Sequence, residues 1–168
     1  MNPNDLLPVK TNHQLRSYAV LEDEKNQMIW LAASTGVELI NGNVSKKLTY
    51  QNKPIFASKI VKVNNQIWLA TTTGIIIYEN NKLKEVISSK NGLLSDKPLK
   101  MIVADNFVYI SSNQGIQQYN LVTKQFRNFT KSEGLLSNAI FDFEVMKQWV
   151  YVITAKGLQK FSFTSLNT

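Results

Sequence analysis

The sequence predicts an all-β protein in which one structural unit is repeated about four times. An aromatic residue followed six positions later by glycine recurs at 30–36, 68–74, 109–115 and 151–157. The closing glycines lie 38, 41 and 42 residues apart, and a period near forty is typical of one supersecondary unit used repeatedly. The apolar runs are dominated by β-branched and aromatic residues, and no segment sustains helical periodicity, so strands are favoured over helices.

The second copy shows the elements of one unit in order. A β-rich run at 57–63 precedes the turn signal Asn64-Asn65, and 66–72 predicts the next strand. Gly74 supplies a turn before the strand Ile-Ile-Ile-Tyr at 75–78, and a more polar strand follows at 83–87. Four short antiparallel strands in about forty residues describe one blade of a β-propeller.

The polarity of the strands supports this architecture. The middle strands at 75–78, 107–110 and 149–153 are apolar on both faces, whereas a one-sided sheet would alternate. Blades packed face to face would cover both faces. The fourth strands, as at 82–86 and 124–129, are more polar and predict the outer edge of each blade.

The repeats predict a single propeller domain over residues 1–168, with approximate blades at 17–50, 57–88, 99–130 and 139–163. The last unit ends after its third strand, near Phe163. Four blades close a ring alone only with steep wedging, so we expect part of a larger ring. The first sixteen residues, with Asp-Leu-Leu-Pro at 5–8, are candidates for an outer strand or a lead-in loop.

Composition narrows the class of protein. The 168 residues are 43% hydrophobic and 18% charged, which indicates a globular domain. No apolar run approaches the ~18 residues of a membrane helix, and the N-terminus does not resemble a signal peptide. Cysteine is absent, which excludes disulfides and thiolate metal sites.

The net charge of +7 comes from 17 Lys and 2 Arg against 12 acids. Lysines spread along the chain indicate protected edge strands rather than nucleic-acid binding, for which arginine is preferred. A basic face for an acidic polysaccharide is the alternative.

Glycine marks a second repeated motif. Gly-Leu-Leu-Ser stands at 92–95 and again at 134–137, which is 42 residues later. We interpret these glycines as turn residues, since no phosphate-binding glycine motif is present.

In order, these motifs resemble the two-component regulator propeller repeat. That family runs from a Gly-Leu-Pro/Leu-Ser-Asn lead through an inner strand ending in Asp and a Leu-Trp-Ile-Gly-Thr strand to Gly-Leu-x-Arg/Lys-Tyr. The similarity covers about residues 17 to 163. Trp30 and Trp68 match the family's tryptophan, whereas Tyr109 and Tyr151 replace it conservatively. The glycine of the family's tryptophan strand is replaced in all four copies, by Ala32, Ala70, Ser111 and Ile153.

The resemblance implies a sensor module. Such repeats form the periplasmic ligand-binding part of sensor histidine kinases, common in Bacteroidetes that degrade polysaccharides. There they usually build seven-bladed propellers, often in tandem, ahead of an immunoglobulin-like domain, a membrane helix and a kinase. The implied location is therefore periplasmic, with an oligosaccharide or related nutrient as ligand and no membrane contact by this segment.

The residues offer little for catalysis. The single histidine, His13, lies in a polar stretch and is expected to be a surface residue. Asp23 and Asp105 end equivalent inner strands, where we expect each to bond its own turn backbone. The run at 22–24, Glu-Asp-Glu, lacks the spacing of a calcium loop. We predict no enzyme activity in this segment, no cofactor and no metal.

Binding is better supported, although no single residue is assigned to a site. In a propeller the loops of one face meet at the central opening. By strand order these are the loops entering the inner strands, at 51–56, 90–100 and 131–139, and the turns at 34–35, 72–73, 113–114 and 155–156. Hydroxyls and amides in the turns suit sugar hydroxyls but are also ordinary turn residues. Trp30 and Trp68 are expected to pack in the core rather than to stack on sugars.

We therefore predict an extracytoplasmic ligand-sensing propeller module of a sensor histidine kinase. The alternatives are a structural or protein-interaction propeller without a small ligand and, less favoured, a propeller lyase or glycosidase. An open array of blades exposes two apolar end faces. These predict self-association through the end blades, with two copies completing an eight-bladed ring.

Overall fold

The structure is a computed structural model that describes residues 16–163. These residues form four antiparallel sheets in series, three with four strands and one with three, together with a two-stranded hairpin. In every sheet the strands are neighbours in the order in which they occur along the chain. We call the four sheets blades 1 to 4.

The strands follow one another at short intervals. Blade 1 contains β1 (Ser17–Asp23), β2 (Met28–Ala33), β3 (Gly36–Asn41) and β4 (Val44–Lys47), and the hairpin β5 (Thr49–Tyr50) and β6 (Lys53–Pro54) follows it. Blade 2 contains β7 (Ala57–Val63), β8 (Gln66–Thr71), β9 (Gly74–Glu79) and β10 (Lys82–Ile87). Blade 3 contains β11 (Lys100–Ala104), β12 (Phe107–Ser112), β13 (Gly115–Asn120) and β14 (Phe126–Phe129). Blade 4 contains β15 (Ile140–Met146), β16 (Trp149–Thr154) and β17 (Gly157–Phe161).

The predicted fold class is confirmed: the chain is all-β and forms a partial propeller of about four blades. The repeat also fixes the register, because the aromatic residue of each copy pairs across to the same place in the inner strand. Trp30 is opposite Leu21, Trp68 is opposite Val61, and Tyr109 is opposite Ile102. The described helices are three single-turn 3-10 helices, and none has the length or apolar character to cross a membrane.

The hydrophobic core lies between the blades, in three clusters that each join two consecutive blades. We call these interfaces seams 1–2, 2–3 and 3–4. Trp30 is fully buried in seam 1–2, with its ring centroid 5.2 Å from that of Tyr78 in the next blade. Trp68 contacts Tyr119 in the same way across seam 2–3, at 5.6 Å. The repeated aromatic residue is therefore a packing residue between blades.

The middle strands of blade 2, and β12 of blade 3, are buried on both faces, as their apolar character predicts, whereas β16 of blade 4 is buried on one. Leu69 faces seam 1–2 and Trp68 faces seam 2–3, and neither side chain is more than 2% exposed. Burying a large apolar side chain contributes about 1.5–3 kcal/mol, so the seams carry much of the stability. The outer strands β4 and β10 are largely exposed, which matches their polar sequences.

At Gly74 and Gly115 the closing glycine is required by a close approach of the backbone. At Gly74, φ is +110°, and a Cβ atom would lie 2.2 Å from the carbonyl oxygen of Ile87. This contact lets the turn between β8 and β9 pack directly against the end of β10.

Candidate functional site

The two sets of loops expected to form a site lie at one edge of the sheets. Backbone hydrogen bonds join them in pairs: the Gly74 amide donates to the Asp96 carbonyl at 2.8 Å, and the Leu99 amide donates to the Ser111 carbonyl at 2.8 Å. The structure thus brings the segment at 90–100 beside the turn between β8 and β9 and beside the end of β12. We call this edge the loop face.

The Gly-Leu-Leu-Ser motifs are held in rigid connections on the loop face. Each motif follows a single-turn 3-10 helix closed by a capping box, between Ser88 and Asn91 in one copy and between Thr130 and Glu133 in the other. The hydrogen bonds donated by the hydroxyl and amide of Thr130 lower the pKa of Glu133. The loops are therefore ordered by their own side chains.

A glutamine, buried in blade 3 and half-buried in blade 4, ties each Gly-Leu-Leu-Ser connection to the following blade. The Gln117 amide oxygen accepts from the Leu94 amide at 2.6 Å, while its nitrogen donates to the Gly92 carbonyl at 2.9 Å. Gln159 makes the same two bonds to Leu136 and Gly134. Sequence reasoning missed this glutamine bridge, although its signal was present: both glutamines stand 25 residues after the motif glycine.

Several turn hydroxyls are engaged in closing their own turns. The Thr71 hydroxyl donates to the Gly74 carbonyl at 2.8 Å and accepts from the Thr73 amide at 3.1 Å. Ser112 and Thr154 make the equivalent contacts in blades 3 and 4. The buried hydroxyls thus serve the turn, whereas the residues at 72–73 and 113–114 are exposed.

A concave site lies at the opposite edge of the sheets, in seam 3–4. It is a cavity of about 800 Å³ that combines aromatic rings with planar polar side chains. We call it the seam groove. It is lined by Asp105, Phe107, Tyr109, Gln118, Asn120, Thr123, Gln125, Phe126, Arg127, Lys147, Gln148, Ser162 and Phe163.

The inner wall of the seam groove is a connected polar and aromatic cluster. Gln118 Nε2 donates to the Tyr109 hydroxyl at 3.0 Å, and the Arg127 guanidinium donates to the Phe163 carbonyl. The Phe163 ring lies 5.8 Å from that of Tyr109. Burial raises the pKa of Tyr109, whose hydroxyl accepts the bond from Gln118 and can donate one of its own.

The seam groove marks a departure from the other two seams. The position of Gln118, three residues after the closing glycine, is Leu39 in blade 1 and Ile77 in blade 2, and both are buried in their seams. Gln118 pairs with Arg127 on the outer strand. At the Gln118 position a polar side chain therefore lines seam 3–4, whereas the equivalent positions of seams 1–2 and 2–3 are apolar; the counterparts of Arg127 are the charged residues Lys46 and Glu85.

The structure corrects the role expected for Asp23. Its carboxylate does not bond its own turn backbone but accepts from Asn26 Nδ2 at 2.6 Å and contacts Lys62 Nζ of blade 2 at 3.5 Å. Asp105 lies in the turn after β11 with φ of 52° and lines the seam groove.

His13 falls outside the described residues. Within 16–163, no group of three or more His, Cys, Asp or Glu side chains is placed to hold a metal ion.

Comparisons with known proteins identify the fold. No protein-family model matches the sequence, and no curated protein matches it significantly. Among solved structures, the chain is similar to the extracellular domain of the proposed hybrid two-component system BT3049 of B. thetaiotaomicron, with a TM-score of 0.74 and 16% identity over 89% of this chain and 24% of that one. It is also similar to the extracellular domain of BT4673 of the same organism, with a TM-score of 0.70 and 20% identity over 86% of this chain and 20% of that one. The AfRom2 CNH domain aligns more distantly, with a TM-score of 0.53 and 9% identity over 87% of this chain and 49% of that one.

The chain spans about a fifth to a quarter of the length of these B. thetaiotaomicron structures. At these identities the likeness concerns the fold. The chain has the fold of part of the extracellular domain of two-component sensor proteins.

Proposed function

We propose that this chain is a ligand-sensing propeller segment from the extracytoplasmic region of a two-component sensor histidine kinase, located in the periplasm. The observation that carries the proposal is its structural likeness to the extracellular domains of BT3049 and BT4673. The resemblance of its motifs to the two-component regulator propeller repeat supports the same assignment. Repeat arrays of this kind present binding surfaces on a rigid frame.

The proposed ligand is an oligosaccharide or related nutrient, and the seam groove is the site that suits it best. Phe107 and Phe126 offer apolar ring faces, on which the C–H face of a sugar packs. Gln118 Oε1 can accept from a sugar hydroxyl and Asn120 Nδ2 can donate to one, whereas Asn120 Oδ1 already accepts from the Val122 and Thr123 amides at 2.8 and 3.0 Å. A cavity of about 800 Å³ is in the range of small-molecule sites. The loop face stays the second candidate surface.

A ligand in the seam groove would contact two blades at once. Phe107 and Gln118 belong to blade 3, whereas Lys147 and Gln148 belong to the turn between β15 and β16 of blade 4. Binding would favour one packing of the seam over another in proportion to its differential affinity. The ectodomain would transmit this change in seam packing to the kinase.

The test is calorimetry of the full-length ectodomain against a glycan panel, with Gln118→Leu as the diagnostic variant. Leucine occupies the equivalent position in blade 1, so the seam should tolerate it. We expect affinity to fall at least about tenfold, since the side chain that would bond the sugar hydroxyls is lost. Gln114→Leu tests the loop face, the second candidate surface, and should leave affinity unchanged if the ligand binds in the seam groove. Uniform non-binding would leave only a scaffold role.

A protein-interaction module is the second candidate, favoured by exposed apolar side chains on the end blades such as Leu158 and Val20. Binding that requires a protein partner would distinguish it. The glycosidase alternative has less support, because such an enzyme needs two carboxyl groups facing each other. Of the described residues that line the seam groove, Asp105 is the carboxylate.

A further inference from the structure

A β-bulge at the start of each inner strand turns one side chain out of the blade. In blades 1, 2 and 4 the strand register shifts at Tyr18, Ser58 and Phe141. In blade 3, Leu99 and the residue after it both lie opposite Ser111, so Leu99 is the extra residue there. Bulges re-aim side chains and are common beside binding sites. We call Tyr18, Ser58, Leu99 and Phe141 the bulge row.

The bulge row lies at the inner end of the loop face and is open to solvent. The inner strands of consecutive blades are neighbours, and the Ser58 hydroxyl oxygen is 3.3 Å from the Leu99 carbonyl oxygen. Tyr18, Leu99 and Phe141 are 50, 49 and 68% exposed. Leu99 has a blade on either side of it, so neighbouring blades do not cover this position. The row therefore presents apolar and aromatic side chains to a ligand.

The loop face that carries the bulge row is basic. The segment before each inner strand supplies at least one cation, and the turn at 155–156 supplies another; they are Arg16, Lys53, Lys90, Lys97, Lys131 and Lys156. Among residues 16–163, no ion pair engages any of these six side chains.

The acids of the same loops are already held by the fold. Asp96 accepts from the amide and hydroxyl of Ser89, and Glu133 accepts from those of Thr130. Three lysines and two acids stand in the turns of the opposite edge, at 24–27, 42–43, 64–65, 80–81, 105–106, 121–125 and 147–148. Positive charge is therefore concentrated on the loop face.

Cations thus recur at least once per blade on the face that carries an apolar row, and the Arg16 guanidinium lies 5.7 Å from the centroid of the Tyr18 ring. We propose that the loop face binds an acidic polysaccharide, with sugar rings on the bulge row and carboxylate or sulfate groups at the basic side chains. The C–H faces of sugars pack on aromatic and aliphatic side chains. Repeated anionic groups on one chain contact several blades at once, which raises the affinity through effective concentration.

The inference rests on the proposed function for one point, that the ligand is a glycan, and adds its charge and a surface separate from the seam groove. Five of the six cations are lysines, whereas nucleic-acid phosphates are preferentially bound by arginine. An acidic polypeptide would meet the lysines but would bring no sugar ring to the bulge row.

The test is calorimetry of the full 168-residue chain with an oligogalacturonate of about eight sugar units, long enough to reach more than one blade. Its methyl ester has the same backbone without the charge. We expect the acid to bind at least about tenfold more tightly than the ester, and its affinity to fall as salt rises. Lys97→Gln combined with Lys131→Gln should weaken binding about tenfold, because two ion contacts are lost. Lys25→Gln combined with Lys82→Gln removes the same charge at the opposite edge and should change affinity by less than about twofold.

Phe141→Ser tests the apolar part of the site. Serine occupies the equivalent position in blade 2, so the fold should tolerate it, and a circular dichroism melt checks this. We expect the variant to bind the oligogalacturonate at least about threefold more weakly. Its affinity for a poly-glutamate of equal charge should be unchanged and low, because that ligand carries no sugar ring.

Several outcomes would overturn the proposal. These are an ester that binds as well as the acid, a control pair that weakens binding as much as the loop-face pair, poly-glutamate binding as tight as that of the glycan, and glycan binding indifferent to Phe141→Ser. Binding of neutral oligosaccharides alone, weakened by Gln118→Leu, would exclude the loop-face site and leave the proposed function standing. A full-length ectodomain that binds no glycan would instead remove the proposed function itself.

Discussion

At the scale of single residues, the buried side chain of Gln117 links the loop before blade 3 to blade 3 itself. It is 1% exposed, bonds the backbone of the preceding connection at two points, and donates to Asn128 Oδ1 at 2.8 Å. Its full set of partners explains why a polar group is tolerated in a seam. It fixes a loop of the loop face relative to the blade that follows.

We predict that Gln117→Ala lowers the free energy of unfolding by about 1–3 kcal/mol, because backbone groups at Leu94 and Gly92 lose their buried partner. Urea denaturation followed by circular dichroism measures the loss. Gln114→Ala, three residues earlier and exposed, should lie within about 0.5 kcal/mol of the unmodified protein. Equal midpoints for the two variants would contradict the bridging role of Gln117.

The roles of single residues were predicted correctly where those residues belong to the repeated motif. The packing role of Trp30 and Trp68 followed from their place in apolar strands, and the structure confirms it. The prediction for Asp23 was wrong because its carboxylate bonds side chains rather than the turn backbone: Asn26 nearby and Lys62, which is 39 positions away in the next blade. A local turn explanation cannot anticipate a partner that the packing of blades supplies.

At the scale of elements, one lysine joins the inner strands of blades 3 and 4. Lys100 Nζ donates to the carboxylates of Asp142 and Glu144 and to the Phe143 carbonyl at 2.8 Å. Burial opposes the charge on Lys100, but its hydrogen bonds to the two acids outweigh that effect and raise its pKa. The hydrogen bond from Lys100 in turn lowers the pKa of Asp142.

This bridge predicts a pH dependence. Since the folded-state pKa of Asp142 is depressed, its contribution to stability is present above the unfolded pKa and is lost as pH falls through the folded pKa. Asp142→Asn should therefore be less stable than the unmodified protein near pH 7, by well under about 1 kcal/mol given the exposure of the pair. The two proteins should converge near about pH 2. Denaturant melts at both pH values test this.

The control for this experiment is Glu85→Gln on the exposed strand β10, which should track the unmodified protein at every pH. A difference between Asp142→Asn and the unmodified protein that persists unchanged in acid would mean that the side chain acts through packing rather than charge.

The strands themselves were largely predictable. The run at 57–63 was expected as a strand and is β7, and the turn at Asn64-Asn65 was placed correctly. The hairpin of β5 and β6 and the single-turn helices before each Gly-Leu-Leu-Ser motif were not predicted. Such short polar elements have no periodicity, and capping contacts such as Thr130 with Glu133 define them instead.

At the scale of the whole molecule, stability is distributed along a row of blades that contact only their neighbours. The central strands of blade 2 are covered by seams on both faces, whereas those of blade 4 are covered by seam 3–4 on one face. In such quasi-one-dimensional arrays the ends open more readily than the middle.

Hydrogen exchange should reveal this gradient. In dilute protein we expect the amides of β8 to exchange at least about tenfold more slowly than those of β16, although both strands are flanked by hydrogen-bonded neighbours. Mass spectrometry of peptides covering the two strands measures the ratio. Uniform exchange along the chain would mean that the blades open as one unit.

The repeating unit and the number of its copies can be predicted from the amino-acid sequence, because a period near forty and strands apolar on both faces allow few architectures other than stacked blades. The sequence also identifies the residue that packs between blades and the residue that turns the chain. Which polar residues come together in a seam depends on tertiary packing. The seam groove combines Tyr109, Gln118, Arg127 and the turn at Lys147, which are spread over about forty positions and two blades. Their meeting depends on the packing angle and register of neighbouring sheets, and no local pattern encodes either.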